Sequence, residues 1–498
     1  MRSRAAVLCV LLVVLAGCSA PFSIGGEETT SGGSNSPEAG GAGGPGADTA
    51  TADAPVQNLA DPAADVLGWE GGYWYNESIP VTAEDGLNAS EQSTFVNRTM
   101  ARIERVRELE FNTTVPVEVI SREEFQGRPN ATGGGARSPA FRTFDNAKFE
   151  GLFLIGEGNN SLAVQQSNRN QNVLGYYSPT NDSIVVVSES ATPRISRSTL
   201  AHELTHALQD QQFNLSEGTP PTRDGYNARN GLIEGEANYV QRRYEGKCGG
   251  QWRCLDISSA GGGGGGDANL HLGVYALEYF PYADGPAFVD SVFDRKGWAG
   301  VNALHEDVPE STEQVIHPRK YGTDAPTNLT IRNASSAGWE RVRPDGRPDY
   351  ATLGQSALSA MFGYTIYDSY NQSPVIPPQA FLNREGRSVN RTDPFEYGLA
   401  YTNGWDGDRM AVYEKNNRTG YVWKLAWDSP GEAREFVRGY RDLLTHWGGE
   451  RVLGRQGVWE IERESPFADA FRISRQGSTV TIVNAPRPDA LDAVHADG

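Results

Sequence analysis

Residues 195–213 read ISRSTLAHELTHALQDQQF, and the character of the whole chain turns on this stretch. It is predicted to form one helix from about Ile195 to Phe213. Within it, His202-Glu203-Leu204-Thr205-His206 sets two imidazoles four residues apart on one face, where both can reach a single ion. At 3.6 residues per turn, Leu204 and Leu208 fall about 200° around from His202 and His206, so the leucines pack inward while the imidazoles face elsewhere. Glu203, beside the first histidine, is placed to take a proton from an attacking water. Most helical histidines ligate nothing, and a five-residue pattern arises by chance, so support is needed from elsewhere in the chain.

That support is GLIEGEANYVQRRY, residues 231–244, on a second predicted helix from about Tyr226 to Tyr244. A catalytic zinc takes three protein ligands and leaves the fourth position to water, so one ligand must come from another element. Glu234 and Glu236 both lie here, about 200° apart around the helix, and only one of them can face the ion. HExxH followed by an EGxA run on a later helix resembles the gluzincin zinc metallopeptidases, in the exported lipoprotein form as in halophilic archaea. The resemblance covers residues 90–430 loosely and is specific only at these two motifs. It implies a zincin-like domain with one catalytic Zn(2+) on His202, His206 and Glu234. It further implies Glu203 as general base and a polypeptide as substrate. Asn238, one turn beyond Glu234, shares its face and is expected to hold a ligand histidine by hydrogen bond, the alternative being a plain surface amide. STEQVIHPRKY, residues 311–321, resembles an element of the same group. Its His317 is the candidate second catalytic residue, a donor to the oxyanion, set against a structural role before a proline. His271, His305, His446 and His495 carry no partner pattern and read as incidental. Trp405-Asp406-Gly407-Asp408-Arg409 is acidic but lacks the spacing of a calcium loop, and reads as a turn.

The N-terminus reads MRSRAAVLCVLLVVLAGCSA. Arg2 and Arg4 precede an apolar run from Ala5 to Ala16 that is short for a membrane span and has the form of a signal peptide. Leu15-Ala16-Gly17-Cys18 resembles a lipobox, which implies cleavage before Cys18 and a lipid on its thiol; ordinary cleavage near Ala20 is the alternative. Residues 19–64 are Gly, Ser, Ala, Thr, Pro and acid, a composition that buries no core and predicts a disordered tether. The chain is therefore expected on the outer face of the cell membrane, held by one lipid and open to release. In that setting Cys248 and Cys254 read as a short-loop disulfide, since a zinc ribbon would need a second pair. Thirteen Asn-x-Ser/Thr triplets suggest a glycosylated surface. The net charge of −19 excludes a nucleic-acid partner, and the scarcity of lysine beside arginine is a salt-adapted signature.

The coarse order is α+β. A helix is predicted over 90–109, strands over 115–120 and 151–155, and a hairpin over 173–188, followed by the two motif helices. Residues 65–260 form the expected catalytic domain. A glycine run at 261–266 precedes its helical continuation, 267–344. A C-terminal α+β module, 345–498, holds two strand-like segments, the helical PGEAREFVRGYRDLLTHW, and a last hairpin in FRISRQGSTVTIVNAP. Two rival readings remain: a catalytically silent zinc-binding surface glycoprotein that binds a cell-envelope partner, and a zinc enzyme acting on an ester or cell-wall amide. The intact Glu203 weighs against the first, because a structural metal has no use for a base there.

Overall fold

The computed structural model describes residues 60–82, 85–128, 137–173, 175–188, 190, 192–255, 270–368, 370, 373–386, 388–390 and 393–496. The leader, Cys18, residues 19–59, the triplets at Asn130 and Asn371, and the glycine run lie outside them.

The first long helix, Ala89–Arg107, starts where Asn88 accepts from the backbone of Ser90 and Glu91 and Glu91 reaches back, a reciprocal cap. Phe95, Met100, Ile103 and Val106 form its buried face, as the periodicity predicts. A small sheet follows, built of β1 (Val117–Ile120), β2 (Gly175–Ser178) and β3 (Ser183–Val187) in the order β1-β3-β2. β1 runs parallel and β2 antiparallel to β3. All five residues of β3 are buried, as befits a central strand covered on both faces.

The strand expected at 151–155 is not formed. Gly151 ends a helix that begins at Pro139 behind the Ser138 cap. The chain then doubles back, with the N–H groups of Leu154 and Ile155 both donating to the Phe149 carbonyl. Leu152, Phe153, Leu154 and Ile155 are each at most 2% exposed, so the apolar run signals burial in a turn; periodicity alone cannot separate that from a strand.

Next come the histidine helix, Arg197–Phe213, and the glutamate helix, Arg223–Lys247. They are followed by a tyrosine-bearing helix, Leu272–Ala283, and by Gly285–Glu306, kinked at Gly297. Cys248 and Cys254 are joined in a disulfide at the end of the glutamate helix. Arg102 caps that loop, stacking 5.1 Å from the Trp252 ring and donating to the Arg253 carbonyl at 3.0 Å.

The C-terminal portion is a seven-stranded antiparallel sheet. Its strands are β4 (Glu340–Arg341), β5 (Trp405–Lys415), β6 (Arg418–Trp427), β7 (Gly449–Arg451), β8 (Val458–Ile461), β9 (Ala470–Gln476) and β10 (Thr479–Ala485), in the order β7-β8-β9-β10-β6-β5-β4. The helix Pro430–His446 packs against β6, β7 and β10. The expected turn at Trp405–Arg409 is instead the start of β5. Buried Asp408 accepts from the backbone of Leu353 and Gly354 and from the Trp423 indole, which explains an acid there without any calcium. Asp224, on the first turn of the glutamate helix, accepts from the backbone and hydroxyl of Thr312. It lies so close to Gly354, at φ +84, that no side chain fits at that position. These two buried carboxylates tie the glutamate helix to the sheet. One apolar interior runs from Phe95 and Leu204 through Phe280 to Trp405 and Trp423, so helices and sheet share a core. Among the described residues no helix is long and apolar enough to cross a membrane.

Candidate metal centre

The histidine helix opens at Ser196, whose hydroxyl accepts from the Thr199 N–H, and closes at Asn214 in a left-handed conformation. Leu200, Leu204, Ala207 and Leu208 are at most 1% exposed and seat one side of it in the core. That packing turns His202 and His206 toward the glutamate helix. The two helices bring the His202 and His206 Nε2 atoms 3.1 Å apart and place each 3.2 Å from Glu234 Oε2. Three ligand atoms on a tetrahedral zinc, with bonds near 2.05 Å, would stand about 3.3 Å apart. The observed triangle and its two-nitrogen, one-oxygen donor set therefore fit a zinc ion with one position left open.

The same packing reaches the glutamate helix at a backbone contact. Gly235 lies against Gly285, and a Cβ on either residue would run into the other's main chain. This close approach fixes the position of the glutamate helix, beside Glu234, against the helix Gly285–Glu306.

Electrostatics follow from burial. His202, Glu203, His206 and Glu234 are all at most 2% exposed. Burial lowers His202 below the ordinary imidazole value, outweighing the neighbouring Glu234. Burial acts the same way on His206, but the Glu234 carboxylate prevails and the ring is pushed up to about 9. Glu234, desolvated but faced by both imidazoles, is held down to about 2. Burial pushes Glu203 up to about 8, with Glu234 adding to the effect and His206 and the Tyr177 N–H opposing it. Glu203 Oε2 accepts from the Tyr177 N–H on edge strand β2 at 2.9 Å. Its Oε1 is buried and has no partner. One oxygen is thus fixed by the sheet and the other is free for chemistry.

Glu236, the rival to Glu234, points away into a second buried network. It pairs with Arg107 at 2.5 Å and with His305 at 2.6 Å. Gln209 joins this network to the triangle. Its amide N–H groups donate to Glu236 Oε2 and the Ile233 carbonyl, each at 3.0 Å, which leaves its oxygen to accept from His206 Nδ1 at 2.9 Å. Gln209 therefore fixes the tautomer that presents the His206 Nε2 lone pair to the centre.

Three sequence expectations need correcting here. Asn238 does not hold a histidine; its amide donates to the Glu234 backbone carbonyl one turn back, at 2.9 Å. Gln209, one turn beyond His206, holds that imidazole instead. Among the described contacts, no hydrogen bond or ring contact joins His317 to the triangle: it ends the helix Thr312–Ile316, stands 3.2 Å from the Gln355 amide, and is flanked by Lys320, Glu396 and Asp428. His305 is not incidental, since it pairs with Glu236 and stacks on Phe213 at 4.0 Å. His446 pairs with Asp368, and His271 caps the tyrosine-bearing helix.

The residue the sequence reading missed is Tyr282. Its ring stacks on His202 at 6.4 Å, and it lies beside Glu234 and Glu203. Burial and then those carboxylates push its phenol well above the ordinary value, so it stays a proton donor. The available signal was Tyr275, Tyr279 and Tyr282 at helical spacing, but nothing in it pointed to the histidines.

Among comparisons with known proteins, residues 340–495 match a family model described as a domain of unknown function, DUF8575. No curated protein and no solved structure matches the chain. The chain's similarity to a described family thus lies in the C-terminal sheet, while the histidine and glutamate helices fall outside the matched residues.

Proposed function

We propose that the chain is a zinc-dependent endopeptidase of the gluzincin type, with a zincin-like arrangement in its helical portion, exported and held at the cell surface by a lipid on Cys18. The observation that carries this is the triangle of His202, His206 and Glu234 at 3.1–3.2 Å beside a buried glutamate with one oxygen free. Zinc held by these three groups would supply a Lewis acid that polarises a carbonyl and acidifies water. The chain's own residues do the rest. Glu203, clamped through Oε2 by the Tyr177 N–H, takes the proton of the attacking water on Oε1 and passes it to the leaving amine. Tyr282, rather than His317, donates to the oxygen on which negative charge develops. Gln209 keeps His206 in its ligating tautomer.

Against a silent zinc-binding protein stands the state of Glu203. A buried carboxyl with an unpartnered oxygen costs stability, and a structural site has no use for one. The test is Glu203→Gln beside the wild type, with stoichiometric zinc in both and an unfolded protein as substrate at high salt. The variant is expected to keep its zinc and lose cleavage by about 10²- to 10⁴-fold. Full activity in that variant would remove the base. No turnover by the wild type with zinc bound would favour the non-enzymatic reading, and turnover of esters or cell-wall amides alone would change the substrate class.

A further inference from the structure

The helix Pro430–His446 and strand β9 border a pocket of about 370 Å³ lined by Arg434, Val437, Arg438, Arg441, Ile473 and Arg475. Arg434, Arg438 and Arg441 follow one another at spacings of four and three, which puts all three on one face of the helix. Ile473 and Arg475, two apart on β9, point to one side of the sheet. Val437 and Ile473 are each 6% exposed and give the pocket an apolar part. We propose that this pocket binds a phosphomonoester, with the arginine forks on its phosphate and Val437 and Ile473 against the carbon skeleton that carries it.

The charge of the pocket runs against that of the chain, which is −19 overall. Like charges three and four apart on a helix repel, so three arginines on one face need something to offset them. Among the described residues no carboxylate does so. The one ion pair in the group joins Arg438 to Glu435 at 3.8 Å, with both side chains half exposed or more, which contributes little. Arg475 donates to the Gly477 carbonyl at 2.6 Å.

A second observation does not depend on the clustering of charge. Arg441 is half-buried, and its Nε is buried without a hydrogen-bond partner. Buried polar atoms are nearly always satisfied, so an open guanidinium N–H on a residue that lines a pocket marks where an acceptor belongs. Burial and then neighbouring Arg451, itself stacked on Trp459 at 5.3 Å, lower the Arg441 guanidinium below its ordinary value. An anion in the pocket would relieve the second of these effects.

The donors select the ligand. Guanidinium forks match oxyanions that offer several acceptor oxygens. The four arginines around this space exceed what a carboxylate, with its single charge, can engage. A phosphomonoester carries about two charges and three strong acceptor oxygens. The volume suits a small molecule or the headgroup of a lipid. None of these residues belongs to the metal triangle, so the inference does not depend on the zinc chemistry.

The experiment uses the full chain loaded with zinc and carrying Cys18→Ser, so that no lipid on that thiol brings it to a vesicle. Calorimetric titrations with inorganic phosphate, glycerol 3-phosphate and citrate, at one fixed sodium chloride concentration, measure the site in solution. Flotation with vesicles of phosphatidylcholine, with or without phosphatidic acid, measures it on a membrane. Saturable binding of phosphate is expected, with glycerol 3-phosphate at least as tight. Arg438→Gln and Arg475→Gln, both at exposed positions that spare the core, are each expected to weaken binding at least tenfold with zinc content unchanged. Arg295→Gln, exposed on another helix, is expected to leave it as in the wild type. The absence of saturable binding overturns the proposal. So does binding undiminished in both Arg438→Gln and Arg475→Gln, which would place phosphate on the zinc or on the surface at large. Citrate binding as tightly as phosphate overturns the assignment of the ligand. Flotation that requires phosphatidic acid and is lost in the two variants supports a lipid source, and solution binding without flotation supports a soluble one.

Discussion

Glu234 and Glu236 sit two residues apart on one helix, and their removal should have different consequences. Glu236 is 1% exposed by side chain and faces an equally buried Arg107 at 2.5 Å. Deleting one partner of such a pair leaves an uncompensated buried charge and costs about 3–5 kcal/mol. His305 loses its partner too, although Asn302 still accepts from Arg107. Glu236→Ala should therefore lower the unfolding free energy by about 3–5 kcal/mol in the zinc-free protein. It also frees Gln209 from one of its anchors, so zinc should bind about 10- to 100-fold more weakly, the usual cost of disturbing a residue that orients a ligand. Glu234→Ala removes one of the three proposed ligands, and the chain should come off a desalting column without stoichiometric metal. Urea unfolding of the zinc-free proteins gives the first quantity, and competition with a chromophoric chelator gives the second. The reasoning is refuted if Glu236→Ala is stripped of metal while Glu234→Ala retains it, or if Glu236→Ala unfolds like the wild type.

Other expectations follow from the same geometry. Tyr282→Phe should keep its zinc and lower kcat by about 10²- to 10³-fold with little change in KM, as loss of an oxyanion donor does; steady-state kinetics on a peptide decide this, and an unchanged kcat would return the role to some other donor. Asp224 is pushed up to about 7 by burial, above its ordinary 3.8. Its folded value is raised, so its contribution to stability is fully present below about pH 4 and is lost as pH rises through about 7. Asp224→Asn should flatten that slope, worth on the order of 4 kcal/mol, in urea titrations across this window; an equal slope in the variant would assign it to other groups. Cys248→Ser opens a loop of six-residue separation and should lower stability by about 2 kcal/mol by the chain-entropy relation, read as a drop in thermal midpoint that reducing agent reproduces in the wild type.

What could be read from the sequence was whatever rests on local periodicity. The first long helix, the hairpin of β2 and β3, and both motif helices formed where their patterns place them. Helical geometry says only that Glu234 and Glu236 cannot both face the histidines; the choice of Glu234 was what the gluzincin resemblance implied. What could not be read rests on contacts distant in the chain. Gln209 was visible as a residue one turn from His206, but its role depends on Glu236 and on the Ile233 carbonyl, both across a helix interface. Tyr282 meets His202 only because a third helix crosses the other two. The segment 151–155 misled because an apolar run reports burial and not backbone shape. Asp408 looked like a turn residue because its three donors come from Leu353, Gly354 and Trp423, far away in sequence.

The glycine contact between residues 235 and 285 has a consequence for how such a centre drifts under mutation. A tetrahedral site tolerates ligand displacements of about 0.2 Å, whereas one added methyl group here would part the two backbones by more than that. A chain could keep every histidine and glutamate, fold well, and still lose its ion through an alanine that touches none of them. Surveys that score such proteins by their ligating motif alone would count that chain as competent, and the spacing of two bare backbones would say otherwise.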